Sequence, residues 1–252
     1  EIIQQFKHDF DKENRIYVFS NKENLGRIGN WNECLEIFRQ TNHPYLKFLF
    51  TGDTLENNYL EILINVFQNN PSLGLVSSGY FVHSSGNKIK KKISFRKSMH
   101  FTPVDALKAF INNNNWVGAP IACIISRKAV AGVKFSDGID WAADWKFYID
   151  ITKRFESFYI NEPLSNFYTS KRKYFLGHNT DPVARAEQLL VKQYALQKLE
   201  DLNPAIAKSL RKNLYNIEGR YLLQELSLFD IGTLTIYKLA KRLRNIINGN
   251  NF

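Results

Sequence analysis

Tyr45-Leu46-Lys47-Phe48-Leu49-Phe50-Thr51-Gly52-Asp53-Thr54-Leu55 is the stretch on which the reading turns. Its first six residues, mostly aromatic and aliphatic, read as a strand that Thr51-Gly52-Asp53 ends abruptly. A helix is expected from about Asn57 to Asn69, closed by Asn70-Pro71. Asp53 therefore falls just past a strand end, where open α/β sheets gather their ligands. A carboxylate there can hold a divalent cation against a diphosphate, because hard cations share carboxylate and phosphate oxygens. It can equally make the turn or cap the helix that follows.

Working outward, Ile16-Tyr17-Val18-Phe19 reads as a short strand and Asn21 to Gly29 as a turn. From Asn30 the apolar positions Trp31, Cys34, Leu35 and Phe38 recur at helical spacing, up to about His43-Pro44. Downstream, Leu73 to Val82 is expected as a strand, with Lys88 to Phe95 as its hairpin partner or a basic loop. Val104 to Ile111 reads as a helix, Pro120 to Ser126 as a strand, Asp144 to about Phe155 as a helix and Phe158-Tyr159-Ile160 as a last strand. Strands alternating with helices predict an α/β fold with a mostly parallel sheet flanked by helices. After Pro182 the text is nearly all helix-compatible, which divides the chain into a body, 1–180, and a helical C-terminal extension, 181–252.

Thirty-four Lys and Arg against 24 Asp and Glu leave a net charge of +10, which favours an anionic partner without choosing one. The basic residues are spread over several elements, and no zinc-finger spacing or RNA-binding aromatic motif accompanies them, which argues against nucleic acid. Cys34 and Cys123 are too few for a disulfide framework and read as buried thiols in a reducing compartment. No apolar run approaches the ~20 residues of a membrane span. The chain opens mid-element on Glu1-Ile2-Ile3, as if its true start lay elsewhere.

Taken in order, Asn24-Leu25-Gly26, Asn30-Trp31-Asn32, Lys47-Phe48-Leu49-Phe50-x-x-Asp53-x-Leu55 and Leu60-Glu61 resemble the nucleotide-sugar half of the family 2 glycosyltransferases, of GT-A (Rossmann-like) fold. Asp53 matches the last aspartate of that family's metal-binding cluster, while Phe50 and Gly52 stand where carboxylates commonly occur. Asn115-Trp116-Val117-Gly118-Ala119-Pro120 is similar to the acceptor-side segment, and Ala142-Ala143-Asp144-Trp145 to the acidic motif at a helix start. Asn161-Glu162-Pro163-Leu164 also looks like the family, whose Pro-Leu strand leads to a histidine that His178 could supply.

The resemblance implies inverting transfer of a sugar from a nucleotide-diphosphate sugar to a hydroxyl of a surface polysaccharide or lipid-linked glycan, in the cytoplasm. It implies Asp144 as general base, Asn24, Gly26, Asn30 and Asp53 on the nucleotide side, and Mn²⁺ or Mg²⁺ held by Asp53 and His178. Trp116 and Trp145 would lie near the acceptor, or they are core; Asp144 is the base, or it is a helix cap. A helix N-terminus is expected to lower the Asp144 pKa. The resemblance further implies that two opening strands, one of them nucleotide-binding, are absent, so that the domain is N-terminally incomplete and could be catalytically inactive. Lys171-Arg172-Lys173 could neutralise phosphates or be a solvated face. The basic amphipathic stretch 234–247 suits an anionic membrane surface, and equally a terminal helix packed on the domain.

Overall fold

The structure, a computed structural model, describes residues 2–84, 88–169, 182–211 and 214. The chain opens with α1 (Ile2–Phe10), α2 (Gly26–Gln40), β1 (Tyr45–Leu46), β2 (Thr54–Leu55), α3 (Tyr59–Asn69) and β3 (Leu73–Ser84). It continues with β4 (Lys88–Lys92), β5 (Met99–Phe101) and α4 (Pro103–Asn113), and a 3-10 turn at Pro120–Ala122 leads into β6 (Cys123–Ser126). Then come α5 (Arg127–Val130), α6 (Ala143–Thr152), β7 (Glu156–Tyr168) and α7 (Pro182–Leu202).

Local chemistry accounts for several boundaries. Thr102 caps α4: its Oγ1 accepts the Asp105 amide at 3.2 Å, and Pro103 occupies the first turn, where a missing N–H costs nothing. Gly26, at φ +66°, lets the chain turn into α2, and the Asn24 side chain accepts its amide at 2.9 Å. The helix therefore starts four residues ahead of Asn30, where the apolar spacing places it. Its two glycines mask that first turn in the sequence.

The described sheet has the order β1-β6-β3-β7-β2, with β4 added to β3 and β5 to β7. It is mixed, not mostly parallel. Among the described residues only β3 and β7 run parallel, and β6, β4, β1, β2 and β5 all pair antiparallel. Strand and helix periodicity does not record from which end a strand is entered. The loop after α4 brings Cys123 opposite Ser77, so β6 runs against β3.

Two predicted strands change character. Ile16–Phe19 is not a strand: it pairs with nothing described, and Tyr17 and Phe19 are 71% and 64% exposed. A strand-forming composition needs a neighbouring edge, and none of the described strands supplies one. In Tyr45–Phe50 only Tyr45 and Leu46 enter the ladder, opposite Ser126 and Ile125.

Two cores lie against the sheet. The larger joins α2, α4, α6 and α7 through Leu35, Leu107, Phe110, Phe147, Val191 and Leu199. The smaller joins α3 to the sheet through Tyr59, Leu63, Phe67, Val76 and Ile124. Each such side chain, fully buried, contributes roughly 1.5–3 kcal/mol. The helix that follows residue 181 thus shares the main core with α4 and α6. No helix among the described residues is long and apolar enough to cross a membrane.

Candidate active site

Three segments converge at the end of β3 that faces the loop before β6. The first is 115–122. Asn115 closes on Gly118, its Oδ1 accepting the Gly118 amide at 3.2 Å and its Nδ2 donating to the Gly118 carbonyl at 3.1 Å. Gly118 has φ +88°, and a Cβ there would come within 2.7 Å of the Tyr80 ring. Only glycine combines that backbone with so close an approach.

The second segment carries Asp144, in the first turn of α6 and half-buried. Its Oδ1 accepts its neighbour's amide, Trp145 N–H, at 2.8 Å, and its Oδ2 lies 3.4 Å from Asn115 Nδ2. Burial pushes the Asp144 carboxyl up to about 6, against the opposing pull of the Trp145 amide, the Arg27 guanidinium and Asn115. Desolvation here outweighs the helix N-terminus, whose dipole by itself lowers a carboxylate. Tyr80, on β3, is pushed up to about 12 by its own burial and by the Asp144 charge, so its phenol keeps its proton. Arg27 also lies over the Trp31 ring at 5.3 Å and donates to the Asp140 carbonyl.

Glu187 on α7 holds the loop that delivers Asp144. Its carboxylate accepts Asp140 N–H at 3.2 Å, Trp141 N–H at 2.6 Å and Ala142 N–H at 3.2 Å, satisfying amides that precede α6. Burial raises its pKa despite those three donors. A second tie joins the same helices: Asp150 accepts Lys146 at 2.9 Å, Lys153 at 2.6 Å and the Tyr194 hydroxyl at 2.5 Å.

The third segment is 47–53. Lys47 Nζ donates to the carbonyls of Pro120 and Ile121 and sits 4.7 Å from the centre of the Tyr59 ring. Burial pushes its ammonium down to about 7, with the charges of Cys123 and Asp53 opposing. Asp53 is 7% exposed. It ends a turn, its amide donating to Phe50 O at 3.0 Å, and its Oδ1 accepts Tyr168 N–H at 3.2 Å, which ties the turn to β7. The Cys123 thiol lies 3.6 Å from Tyr148 Oη, and burial lifts it to about 11.

The remaining residues singled out in the sequence lie as follows. Asn24 and Asn30 are exposed at the start of α2, where Asn30 Oδ1 accepts Asn21 Nδ2 at 2.9 Å. Trp116 is 1% exposed, stacked on Phe101 at 4.5 Å with Nε1 donating to Ala106 O at 3.2 Å. Trp145 is 4% exposed. Both rings are therefore core, with no open face for a sugar. His178, Lys171–Lys173 and the 234–247 stretch lie outside the described residues.

Among the described residues no three His, Cys, Asp or Glu side chains gather as a metal site. A divalent ion at Asp53 would therefore have to be completed by water and the phosphates of a substrate, a form of binding that Mg²⁺ accepts.

Tyr80, Lys47, Arg27 and Glu187 escaped the sequence reading. Tyr80 lies inside an apolar strand and Lys47 interrupts one, and nothing in the local pattern separates either from ordinary strand residues. An α/β fold with one half-buried carboxylate at a helix start, opposite a protonated phenol, is what the chain presents. No family model matches the chain, and no curated protein matches it.

Proposed function

We propose that the chain is an inverting glycosyltransferase of GT-A type, using a nucleotide-diphosphate sugar, with Asp144 as general base. The observation that carries this reading is the placement of Asp144: reachable from solvent, in a rigid first helical turn, with its carboxyl lifted to about 6 by burial. A base near the working pH transfers protons better than an ordinary, more acidic aspartate.

In one in-line displacement, the Asp144 carboxylate takes the proton of the acceptor hydroxyl as its oxygen bonds to the sugar's anomeric carbon. The bond from that carbon to the diphosphate breaks, and the nucleoside diphosphate leaves with the electron pair. Asn115 restrains the Asp144 carboxylate from the side, and Tyr80, near enough for the Asp144 charge to act on its phenol, keeps its proton. Asp53 lies on the donor side, where the resemblance to family 2 glycosyltransferases puts the diphosphate; no step is routed through a metal.

Calorimetric titration with UDP, GDP and their sugars, with and without Mn²⁺, tests the donor side. Asp144→Asn should leave donor binding unchanged and lower transfer by roughly 10²–10⁴-fold, the usual range for a general base. Unaltered transfer by that variant overturns the assignment.

A further inference from the structure

A run of unpaired positive charge lies on β4 and in the segment that follows it. Between Glu61 and Asp105 the sequence holds no carboxylate, yet it carries Lys88, Lys90, Lys91, Lys92, Arg96 and Lys97. Lys90, Lys91, Lys92, Arg96 and Lys97 are all exposed. None enters an ion pair with a described residue. Of the neighbouring carboxylates on β7, Glu156 faces His100 at 3.4 Å, and Glu162 makes no ion pair.

Register divides these lysines between two faces. Lys92 lies opposite Tyr80 and Lys90 opposite Val82, whereas Lys91 lies opposite Phe81 and Ile89 opposite His83. Directly opposed residues of an antiparallel pair share a face. Lys90 and Lys92 therefore share the face of Tyr80, whose ring packs on Gly118 beside Asp144. The segment after β4 is pinned to the same loop: Ser94 Oγ donates to Trp116 O at 2.8 Å, and Ser94 N–H donates to Tyr159 Oη at 2.7 Å. Two exposed lysines of one face thus flank the Tyr80 position, with Arg96 and Lys97 following in the next few residues. Residues two apart in a strand stand about 7 Å apart, so the pair suits an anion repeated along a chain better than a single phosphate.

We infer that Lys90 and Lys92, continued by Arg96 and Lys97, bind an acceptor glycan bearing repeated anionic groups and lead its terminal hydroxyl to Asp144. The acceptor role rests on the glycosyl-transfer reading above; the anion-binding strip does not.

The test measures binding of a fluorescent heparin oligosaccharide to the full chain by anisotropy across a salt series, with uncharged dextran as control. The variant Lys90→Glu/Lys92→Glu should weaken heparin binding by roughly tenfold or more at low salt and flatten its salt dependence, because released counterions drive such binding. Lys91→Glu, on the other face, should change it by less than about threefold. Equal losses from both variants, or none from the double reversal, overturn the strip. Tighter binding to phosphatidylglycerol vesicles or to an oligonucleotide than to heparin overturns the choice of a glycan. Calorimetry with UDP and GDP on the same proteins separates the two readings. Retained nucleotide binding by the double variant supports the acceptor role. A wild-type chain that binds heparin through this face and binds no nucleotide loses the transfer reading and the acceptor role, while the strip stands.

Discussion

Glu187 Oε2 accepts the Trp141 amide at 2.6 Å, across 46 residues of sequence. The loop that presents Asp144 is thus held by α7, an element outside the sheet altogether. Glu187→Ala would leave one buried and two part-buried amides without their acceptor, at a cost of roughly 3 kcal/mol, since each unsatisfied group costs about 1–3 kcal/mol and water recovers part of it. Glu187→Gln, which keeps one accepting oxygen, should lose about half as much. Urea unfolding of both variants checks the ranking; an unaffected alanine variant would show that the loop holds itself.

The Asp144 carboxyl, lifted by burial from 3.8 to about 6, makes stability depend on pH with a definite sign. Folded protein holds this proton more tightly than unfolded chain does. Its contribution is therefore fully present below about pH 4 and is lost as pH rises through about 6. Asp144→Asn should stabilise the fold by roughly 2–3 kcal/mol at pH 7–8 and by almost nothing at pH 4. Thermal unfolding at both pH values measures the difference, and a gain that is constant with pH would contradict the raised pKa.

Lys47 has the opposite signature. With its ammonium pushed down to about 7 from 10.5, the unfolded chain binds the extra proton throughout the window between them. Stability from this group is present above the ordinary lysine range and is lost as pH falls toward 7. Between pH 7.5 and 9.5, wild type should therefore gain on Lys47→Met by about 1 kcal/mol per pH unit. Comparing the two proteins cancels the other titrating groups, and parallel stability curves would rule the effect out.

Gly118→Ala introduces both a left-handed backbone cost, about 1–2 kcal/mol, and a clash with the Tyr80 ring. The variant should unfold several degrees earlier, because the added methyl meets the Tyr80 ring on β3. The further substitution Tyr80→Ala removes the ring and should restore part of the melting temperature. No recovery would show that backbone strain alone is at work.

Much of the helical frame was legible in the sequence. The spacing of Leu63 and Phe67, of Leu107 and Phe110, and of Phe147 and Ile151 locates α3, α4 and α6, because burying one face imposes a helical period. The sheet was less legible. Its direction depends on how loops such as 114–122 re-enter it, and β2 and β5, of two and three residues, are too short to carry a period. Asp144 and Asp53 were visible as acids at element ends, but the groups around them come from distant positions. Tyr80 reaches Asp144 through a glycine contact, and Glu187 through α7, and neither contact has a local pattern. Trp116 and Trp145 show the converse: an aromatic beside a motif reads as a binding platform until its burial is known.

The pairing of β3 with β7 begins with Leu73 opposite Glu156, and it is complete only when Tyr168 stands opposite His83. During synthesis, β3 leaves the ribosome well before its parallel neighbour exists. At about 5–20 residues per second the wait is on the order of ten seconds. Through that interval the apolar run Leu73–Val76 lacks its β7 neighbour, and the hairpin partner β4, which pairs with Tyr80–Ser84, does not reach it. Closing so long a loop is slow, which makes this a chain whose yield in a cell should depend on chaperone supply and growth temperature more than its equilibrium stability would indicate.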